Sequence, residues 1–196
     1  MIGRLFAALL LLLITPASAA LPAPGLVKVV LKTELGPIVV AVDTKHAPIT
    51  AGNFLRYVDA HKFDGKTFYR AARSKTRPGV GLVQGGIDSK ISDSFFPIKH
   101  EPTSLTGIHH GDGVISMARH DVGSAMGDFF ICLGPSETLD ASPGYPGYAA
   151  FGHVVSGIEI VRRILVMPTY PGGLSAETMG QTLVHRVRIL SATRMR

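Results

Sequence analysis

The side chains that could do chemistry lie in a pair of segments well separated along the chain. The first segment places Arg70 after an aromatic-rich run and Gln84 after an apolar one, and the second contains Phe130. Arginine is a rigid, permanently charged donor, and glutamine can donate and accept hydrogen bonds at once. Among apolar neighbours, such groups suit a reaction in which the protein binds and polarises a strained amide without breaking a covalent bond.

Residue types alone leave each of these assignments open. Arg70 could instead be a surface residue in a salt bridge, and Gln84 could make a structural hydrogen bond between strands. Phe130 could belong to the core or to a pocket, and Leu82 and Leu139 are still more ambiguous. The residues by themselves therefore indicate only a β-rich domain with a binding pocket.

Hydrolytic and metal-dependent chemistry have weak support. Ser116 lacks the Gly-x-Ser-x-Gly context of a nucleophile elbow, and Ser124 merely stands in a loop near a histidine and an aspartate. His109, His110 and Asp112 form the best local set of metal ligands, but adjacent residues on a strand point apart. We therefore expect structural or surface histidines, and no metal.

The N-terminal residues have the pattern of an export signal. Arg4 precedes an apolar run from Leu5 to Ile14, and Ala17-Ser18-Ala19 provides a small-x-small cleavage site. We expect residues 1–20 to be a signal peptide and residues 21–196 to be one domain, periplasmic or secreted. An uncleaved anchor is the alternative, and after cleavage no stable membrane anchor is expected.

Composition narrows the expected partners and the source of stability. The chain has 196 residues, 46% of them hydrophobic and 17% charged, which is enough to bury a real core. Cys132 is the single cysteine, so no internal disulfide can form, and we expect it to be a small buried hydrophobe. The net charge of +6 is scattered rather than interleaved with aromatics, which predicts no nucleic-acid binding. We expect a monomer.

Hydrophobic periodicity predicts many short strands and a pair of helices. One helix should run to about Ala60 with Thr50 as its N-cap, and another should cover Gly157 to Val166. Such a mainly β pattern, with one helix near each end of the chain, favours a closed barrel capped by helices. The predicted strands are Val27 to Leu35, Ile38 to Val42, Thr67 to Ala71, Gly81 to Gln84, Val114 to Met117, Phe129 to Leu133, Phe151 to Val155 and Leu183 to Leu190.

Several motifs in order make the chain resemble the cyclophilin family of peptidyl-prolyl cis-trans isomerases. The resemblance runs from about Val29 to Leu190, nearly the whole expected mature chain. Each motif alone would be weak, but the ordered set is highly specific. The motifs are Thr50-x-x-Asn53-Phe54, Phe63-Asp64-Gly65-x-x-Phe68-Tyr69-Arg70, Gln84-Gly85-Gly86, Gly113-x-x-Ser116-Met117-Ala118, Phe129-Phe130-Ile131, Leu139-Asp140 and Phe151-Gly152-x-Val154.

The resemblance implies an eight-stranded antiparallel barrel with a helix closing each end and an active groove on its outer face. It implies a bacterial, exported isomerase that accelerates rotation about X–Pro bonds of proline-containing polypeptides and needs no cofactor. Arg70 corresponds to the catalytic arginine. The implied substrate-binding residues are Phe68, Leu82, Gln84, Ala118, Arg119, Asp128, Phe130, Leu139 and Tyr148.

The chain departs from the family pattern near this groove. Extra residues lie around 74–79, and Gly81 stands where an aromatic pocket wall is usual. Asp128 replaces a second glutamine, and Tyr148 replaces a histidine. These differences motivate the alternative of a non-catalytic periplasmic chaperone or peptide-binding module that uses the same groove.

Overall fold

Alternating apolar and polar residues produce strands that hydrogen-bond in a closed ring. The computed structural model describes residues 25–173 and 176–195, and within them the strand order around the ring is β1-β2-β7-β5-β6-β4-β3-β8, antiparallel at every pair. The eight strands are β1 Leu26–Thr33, β2 Gly36–Asp43, β3 Thr67–Arg73, β4 Gly81–Gly86, β5 Val114–Met117, β6 Phe129–Leu133, β7 Ala149–Ser156 and β8 Thr182–Arg194.

Helices α1, Pro48–Asp59, and α3, Ile158–Leu165, close opposite ends of this barrel. α1 follows β2 and α3 follows β7, and because these two strands are antiparallel neighbours, their last residues lie at opposite ends. The predicted fold class, an eight-stranded antiparallel barrel capped by two helices, is confirmed. A further short helix that the sequence did not predict, α2, spans Thr103–Thr106.

The barrel interior is filled by side chains from alternate strand positions and from α1. Phe54 of α1 packs against Phe63 at 5.2 Å and edge-on against Phe129 of β6 at 5.4 Å between ring centroids. All three rings are fully buried. Aromatic contacts of this geometry join the helix to the barrel, so α1 and the inner face of β6 form one core.

The predicted N-cap of α1 is wrong. The helix begins at Pro48, which suits the first turn because proline has no N–H to leave unpaired. The buried carboxylate of Glu101 accepts hydrogen bonds from the backbone N–H groups of Ile49 (3.1 Å) and Thr50 (2.6 Å). The Thr50 hydroxyl also donates to Glu101, at 2.6 Å. A carboxylate from a distant segment thus replaces the local cap.

The strand predictions differ from the structure mainly at their ends. β5 and β6 have the predicted bounds, whereas β3 continues to Arg73 and β8 to Arg194. The predicted signal peptide lies outside the described residues. Among the residues described, no helix is long and apolar enough to cross a membrane.

Candidate active site

Three of the predicted site residues lie side by side on the outer face of the barrel. In the strand registers, Arg70 of β3 is opposite Gln84 of β4, and Gln84 is opposite Phe130 of β6. Residues that are directly opposite in a sheet project to the same face. Strand pairing therefore places a cation, an amide and an aromatic ring in one row across neighbouring strands, which we call the site row.

A β-bulge determines which side chains of β3 reach this face. The β3–β4 register advances from Phe68 to Arg70 without pairing Tyr69, so both Tyr69 and Arg70 project outward. Phe68 points into the barrel, is fully buried, and lies edge-on to Phe129 at 5.8 Å. The prediction that Phe68 contacts substrate is therefore wrong, because its ring belongs to the core.

Hydrogen bonds fix the guanidinium of Arg70 from two directions. Nη1 donates to Gln84 Oε1 at 2.7 Å, and Nε donates to Gln181 Oε1 at 2.8 Å. Within residues 25–173 and 176–195, no group accepts a hydrogen bond from Nη2. Burial lowers the pKa of Arg70, but arginine remains charged in proteins. The site thus holds a preorganised positive charge with donors still available to a ligand.

Gln84 is held in turn through Tyr69 and Asp128. Its Nε2 donates to the Tyr69 hydroxyl at 2.8 Å, and that hydroxyl donates to Asp128 Oδ1 at 3.1 Å. Asp128 also accepts from the backbone N–H groups of Asp88 and Ser89, each at 2.8 Å. We call these five linked side chains the polar chain: Gln181, Arg70, Gln84, Tyr69 and Asp128.

The Asp128 carboxyl group lies at the inner end of the polar chain. It is 7% exposed, and burial raises its pKa despite the hydrogen bonds from the Asp88 and Ser89 amides and from Tyr69. Its neighbours show that it anchors Tyr69 and the loop at 88–89. Its predicted contact with substrate stays a prediction.

The apolar part of the site centres on Phe130. Tyr148 packs against Phe130 with the two rings nearly perpendicular and 5.4 Å between their centroids, and Phe130 is only 3% exposed. The Tyr148 backbone N–H donates to Leu139 O at 2.9 Å, which brings these two predicted residues together. Leu82 is half-buried on β4, two residues before Gln84 and so on the same face. Because Phe130 is almost fully buried, a proline ring can reach it only if a neighbouring side chain, such as that of Tyr148, moves aside.

Ala118 and Arg119 border the same region from the end of β5. The Ala118 N–H donates to Asp128 O at 2.9 Å, which ties the segment to β6. The Arg119 guanidinium lies 4.9 Å above the Tyr148 ring and donates through Nη2 to Gly147 O at 2.5 Å. Arg119 thereby makes a cation–π contact with Tyr148, the ring that packs against Phe130.

A serine–histidine–aspartate set also contacts Phe130, through the imidazole ring. His110 Nδ1 lies 2.6 Å from Asp140 Oδ1, and His110 Nε2 lies 2.9 Å from Ser116 Oγ. The imidazole stacks on Phe130 at 6.0 Å. Ser116 and the His110 ring are both completely buried, so no acyl substrate can reach the hydroxyl. The set resembles a hydrolase triad in connectivity, but its position makes it structural.

Protonation of His110 should destabilise the protein in mild acid. Burial keeps the pKa of His110 below its ordinary value, although Asp140 opposes the shift. The unfolded state therefore binds the proton first, and this contribution to stability, present at higher pH, is lost as pH falls below about 6.5. We expect His110→Gln to reduce the decrease in melting temperature that the wild type shows from about pH 7.5 to 5.5.

The control for this experiment is His109→Gln. It removes an exposed imidazole that contacts the same Asp140 carboxylate at 2.9 Å. We expect it to keep the wild-type dependence of melting temperature on pH. If the melting temperature depended on pH equally in wild type and His110→Gln, His110 would not be the group responsible.

At lower pH, protonation of Asp140 removes a separate contribution to stability. Burial alone would raise the pKa of Asp140, but hydrogen bonds from His110 and His109 lower it.

The structure explains why an aromatic side chain cannot occupy position 81. A Cβ atom at Gly81 would lie 2.2 Å from the carbonyl oxygen of Ala72 on β3. This close approach of two backbones excludes any side chain unless the strands shift. The neighbouring apolar side chain on the outer face of β4 is that of Leu82.

Gly81→Ala should therefore destabilise the domain by about 1–3 kcal/mol, the usual cost of forcing extra atoms into a packed site. Denaturant unfolding monitored by circular dichroism would measure the change. Gly52→Ala is the control, because Gly52 lies on the exposed side of α1 with nothing within 4 Å of an added Cβ. Alanine there should stabilise by up to about 1 kcal/mol. Equal stabilities for the two variants would contradict the close strand contact.

Other features of the described residues do not add a reactive centre to this site. Within 25–173 and 176–195, no group of three His, Cys, Asp or Glu side chains is placed to hold a metal ion. Cys132 is buried as predicted, and burial raises the pKa of its thiol to about 12. A cavity of about 590 Å³ lies between Pro102 and the loop at 141–146, and none of the predicted site residues line it.

The sequence interpretation missed Tyr69, Gln181, His110 and Asp140 as parts of the site. Tyr69 was visible next to Arg70, but the bulge that turns it outward leaves no clear signal in the sequence. Gln181 is 111 residues from Arg70 and stands just before β8, so only the closed barrel brings it near.

Comparisons with known proteins concern the family and the fold of the chain. The family model described as "Cyclophilin type peptidyl-prolyl cis-trans isomerase/CLD" matches residues 28–194. A protein named peptidyl-prolyl cis-trans isomerase A from Dickeya dadantii is 35% identical over 85% of this chain and 86% of its own length. A peptidyl-prolyl cis-trans isomerase from Acinetobacter baylyi is 33% identical over 74% of each chain.

A solved structure shares the fold at lower sequence identity. The cyclophilin-type peptidyl-prolyl cis-trans isomerase of Cryptosporidium parvum matches 87% of this chain and 98% of its own, with a TM-score of 0.65 and 17% identity. At that identity the likeness concerns the fold alone.

Proposed function

Because the chain belongs to the cyclophilin-type peptidyl-prolyl cis-trans isomerase family, we propose that its site row catalyses rotation about X–Pro peptide bonds. The observation that carries the proposal is the position of Arg70. Its guanidinium is held at Nε and Nη1, beside an apolar wall built on Phe130, on the outer face where a polypeptide can approach. Proline-containing polypeptides are the proposed substrates.

The chemistry requires a twisted amide to be bound more tightly than a planar one. Rotation about the peptide bond has a barrier of about 18–20 kcal/mol because resonance is lost at the transition state. A catalyst lowers this barrier only by interactions that strengthen as the bond twists. Arg70 would donate a hydrogen bond to the proline side of the amide, favouring a pyramidal nitrogen that no longer conjugates with the carbonyl. No covalent bond is made or broken.

The apolar residues would fix one half of the substrate while the other half rotates. Phe130, Leu139 and Leu82 would receive the proline ring after Tyr148 moves, and Ala118 and Arg119 would hold the residue before proline. Gln84 accepts a hydrogen bond from Arg70 and so keeps it in place, and it lies directly opposite Phe130 in the sheet. The preorganised charge needs little rearrangement during rotation, which is the usual source of electrostatic catalysis.

The competing proposal is a binding module that holds proline-containing segments without turning them over. The near-complete burial of Phe130, against which Tyr148 packs, favours it, because a covered pocket slows exchange of substrate. The test is exchange NMR on a short X–Pro peptide, together with refolding of a protein limited by proline isomerisation. Acceleration of both supports the enzyme, whereas suppressed aggregation with an unaccelerated slow phase supports the binding module.

We also propose that the protein is a bacterial enzyme exported through residues 1–20 and acts as a monomer on folding proteins outside the cytoplasm. The apolar run and the small-x-small site support export. Expression of the full chain in a bacterial host should yield a periplasmic product whose mass corresponds to a start near Ala20 or Leu21. A product of full-length mass in the membrane fraction would indicate an uncleaved anchor instead, and light scattering would decide the oligomeric state.

A further inference from the structure

The backbone of Gln181 is hydrogen-bonded to β3 next to Arg70, the proposed catalytic arginine. Its carbonyl oxygen accepts from the Ala71 N–H at 2.8 Å, so its backbone is fixed to the residue that follows Arg70. Thr182, the first residue of β8, is opposite Arg70 in the strand register. These main-chain contacts hold the Gln181 side chain within reach of the guanidinium independently of any ligand.

The hydrogen bond between the side chains of Gln181 and Arg70 fixes the orientation of the guanidinium group, which Gln84 alone does not fix. Gln84 accepts from Nη1, and a single hydrogen bond to one nitrogen leaves the guanidinium free to rotate about that contact. Gln181 accepts from Nε on a different nitrogen, at 2.8 Å. Acceptors on two nitrogens fix both the plane of the group and the direction in which Nη2 points.

We propose that Gln181 is a positioning residue for X–Pro isomerisation, which holds the Arg70 guanidinium in the orientation that meets the twisted amide. This inference rests on the proposed function of Arg70. Gln181 itself need not touch substrate, so it acts on turnover rather than on binding. Catalysis is sensitive to small displacements of the groups that contact the reacting bond.

Gln181→Met tests the inference, because methionine keeps the length of the side chain but removes the acceptor. Exchange NMR on an X–Pro peptide should show turnover reduced by about tenfold, with peptide affinity nearly unchanged. Gln181→Glu keeps an oxygen acceptor and should recover most of the lost turnover. Thr182→Val is the matched control: it alters the neighbouring residue, does not remove the Arg70 acceptor, and should keep wild-type turnover.

A spectroscopic readout separates this inference from the proposed function. The Arg70 Nε–Hε resonance should shift and exchange faster with solvent in Gln181→Met, and should stay near its wild-type position in Gln181→Glu and Thr182→Val. An unchanged resonance together with unchanged turnover in Gln181→Met would overturn the positioning role. If Arg70→Ala kept its activity, the proposed function of Arg70 would fail, while the resonance would still show whether Gln181 orients the side chain.

Discussion

Arg70→Ala is expected to lower isomerisation of an X–Pro peptide by about a hundredfold or more while leaving the domain folded, comparable to losing one preorganised donor in other enzymes. Arg70 supplies the one charged donor in the site row, and alanine leaves the apolar wall at Phe130 intact. Peptide binding should therefore weaken less than turnover. Exchange NMR measures both quantities on the same sample.

The stability of this variant should change little. Removal of the Arg70 side chain takes one hydrogen-bond donor from Gln84 Oε1 and one from Gln181 Oε1. Both glutamine side chains are only partly buried, so water can replace the lost donors. We expect a change of about 1 kcal/mol in the free energy of unfolding.

Arg73→Ala is the matched control on the same strand. Arg73 donates to Leu165 O at the end of α3, to Met167 O just beyond it, and to the Thr169 hydroxyl. Its removal should reduce stability but keep the turnover of each folded molecule. Equal losses of turnover in Arg70→Ala and Arg73→Ala would show that the effect of Arg70 is structural.

The sequence predicted the strands well where loop residues bound a short apolar run, and less well where a distant residue decides the local structure. The bounds of β5 and β6 follow directly from short apolar runs between loops. The start of α1 does not, because it depends on Glu101, far along the chain, which accepts hydrogen bonds from the backbone N–H groups of Ile49 and Thr50 in the first turn. Local capping rules cannot anticipate such a contact.

The structure brings three of the predicted site residues together, but the hydrogen bonds that connect them to the rest of the site were not predictable from the sequence. Residue types left Arg70, Gln84 and Phe130 open to structural interpretations, and the family resemblance supplied their expected roles. Strand pairing then put the three in one row. The bulge that turns Tyr69 outward, and the closure of the barrel that brings Gln181 to Arg70, depend on register between strands. Register is a property of pairs of segments, so one segment read alone cannot reveal it.

Phe130→Leu should weaken the site in a different way from Arg70→Ala. Leucine keeps an apolar side chain but removes the flat ring that stacks on His110 and meets the edge of Tyr148. The fit to the proline ring is lost, and with it about 1–3 kcal/mol of binding to the transition state, which corresponds to about 5–150-fold in kcat/KM. Most of this loss should come from weaker peptide binding, because Arg70 and its two acceptors are untouched.

Phe129→Leu gives the matched comparison, since the two phenylalanines are adjacent in β6 but face opposite sides of the sheet. Phe129 packs in the barrel interior against Phe54, Phe63 and Phe68. Its replacement should lower the free energy of unfolding by about 1–3 kcal/mol and leave the kcat/KM of the folded protein unchanged. Phe130→Leu should show the reverse, a large loss of activity with a smaller loss of stability. If both variants lost stability and activity in parallel, Phe130 would be a core residue rather than a pocket wall, and the apolar half of the proposed site would have to lie elsewhere.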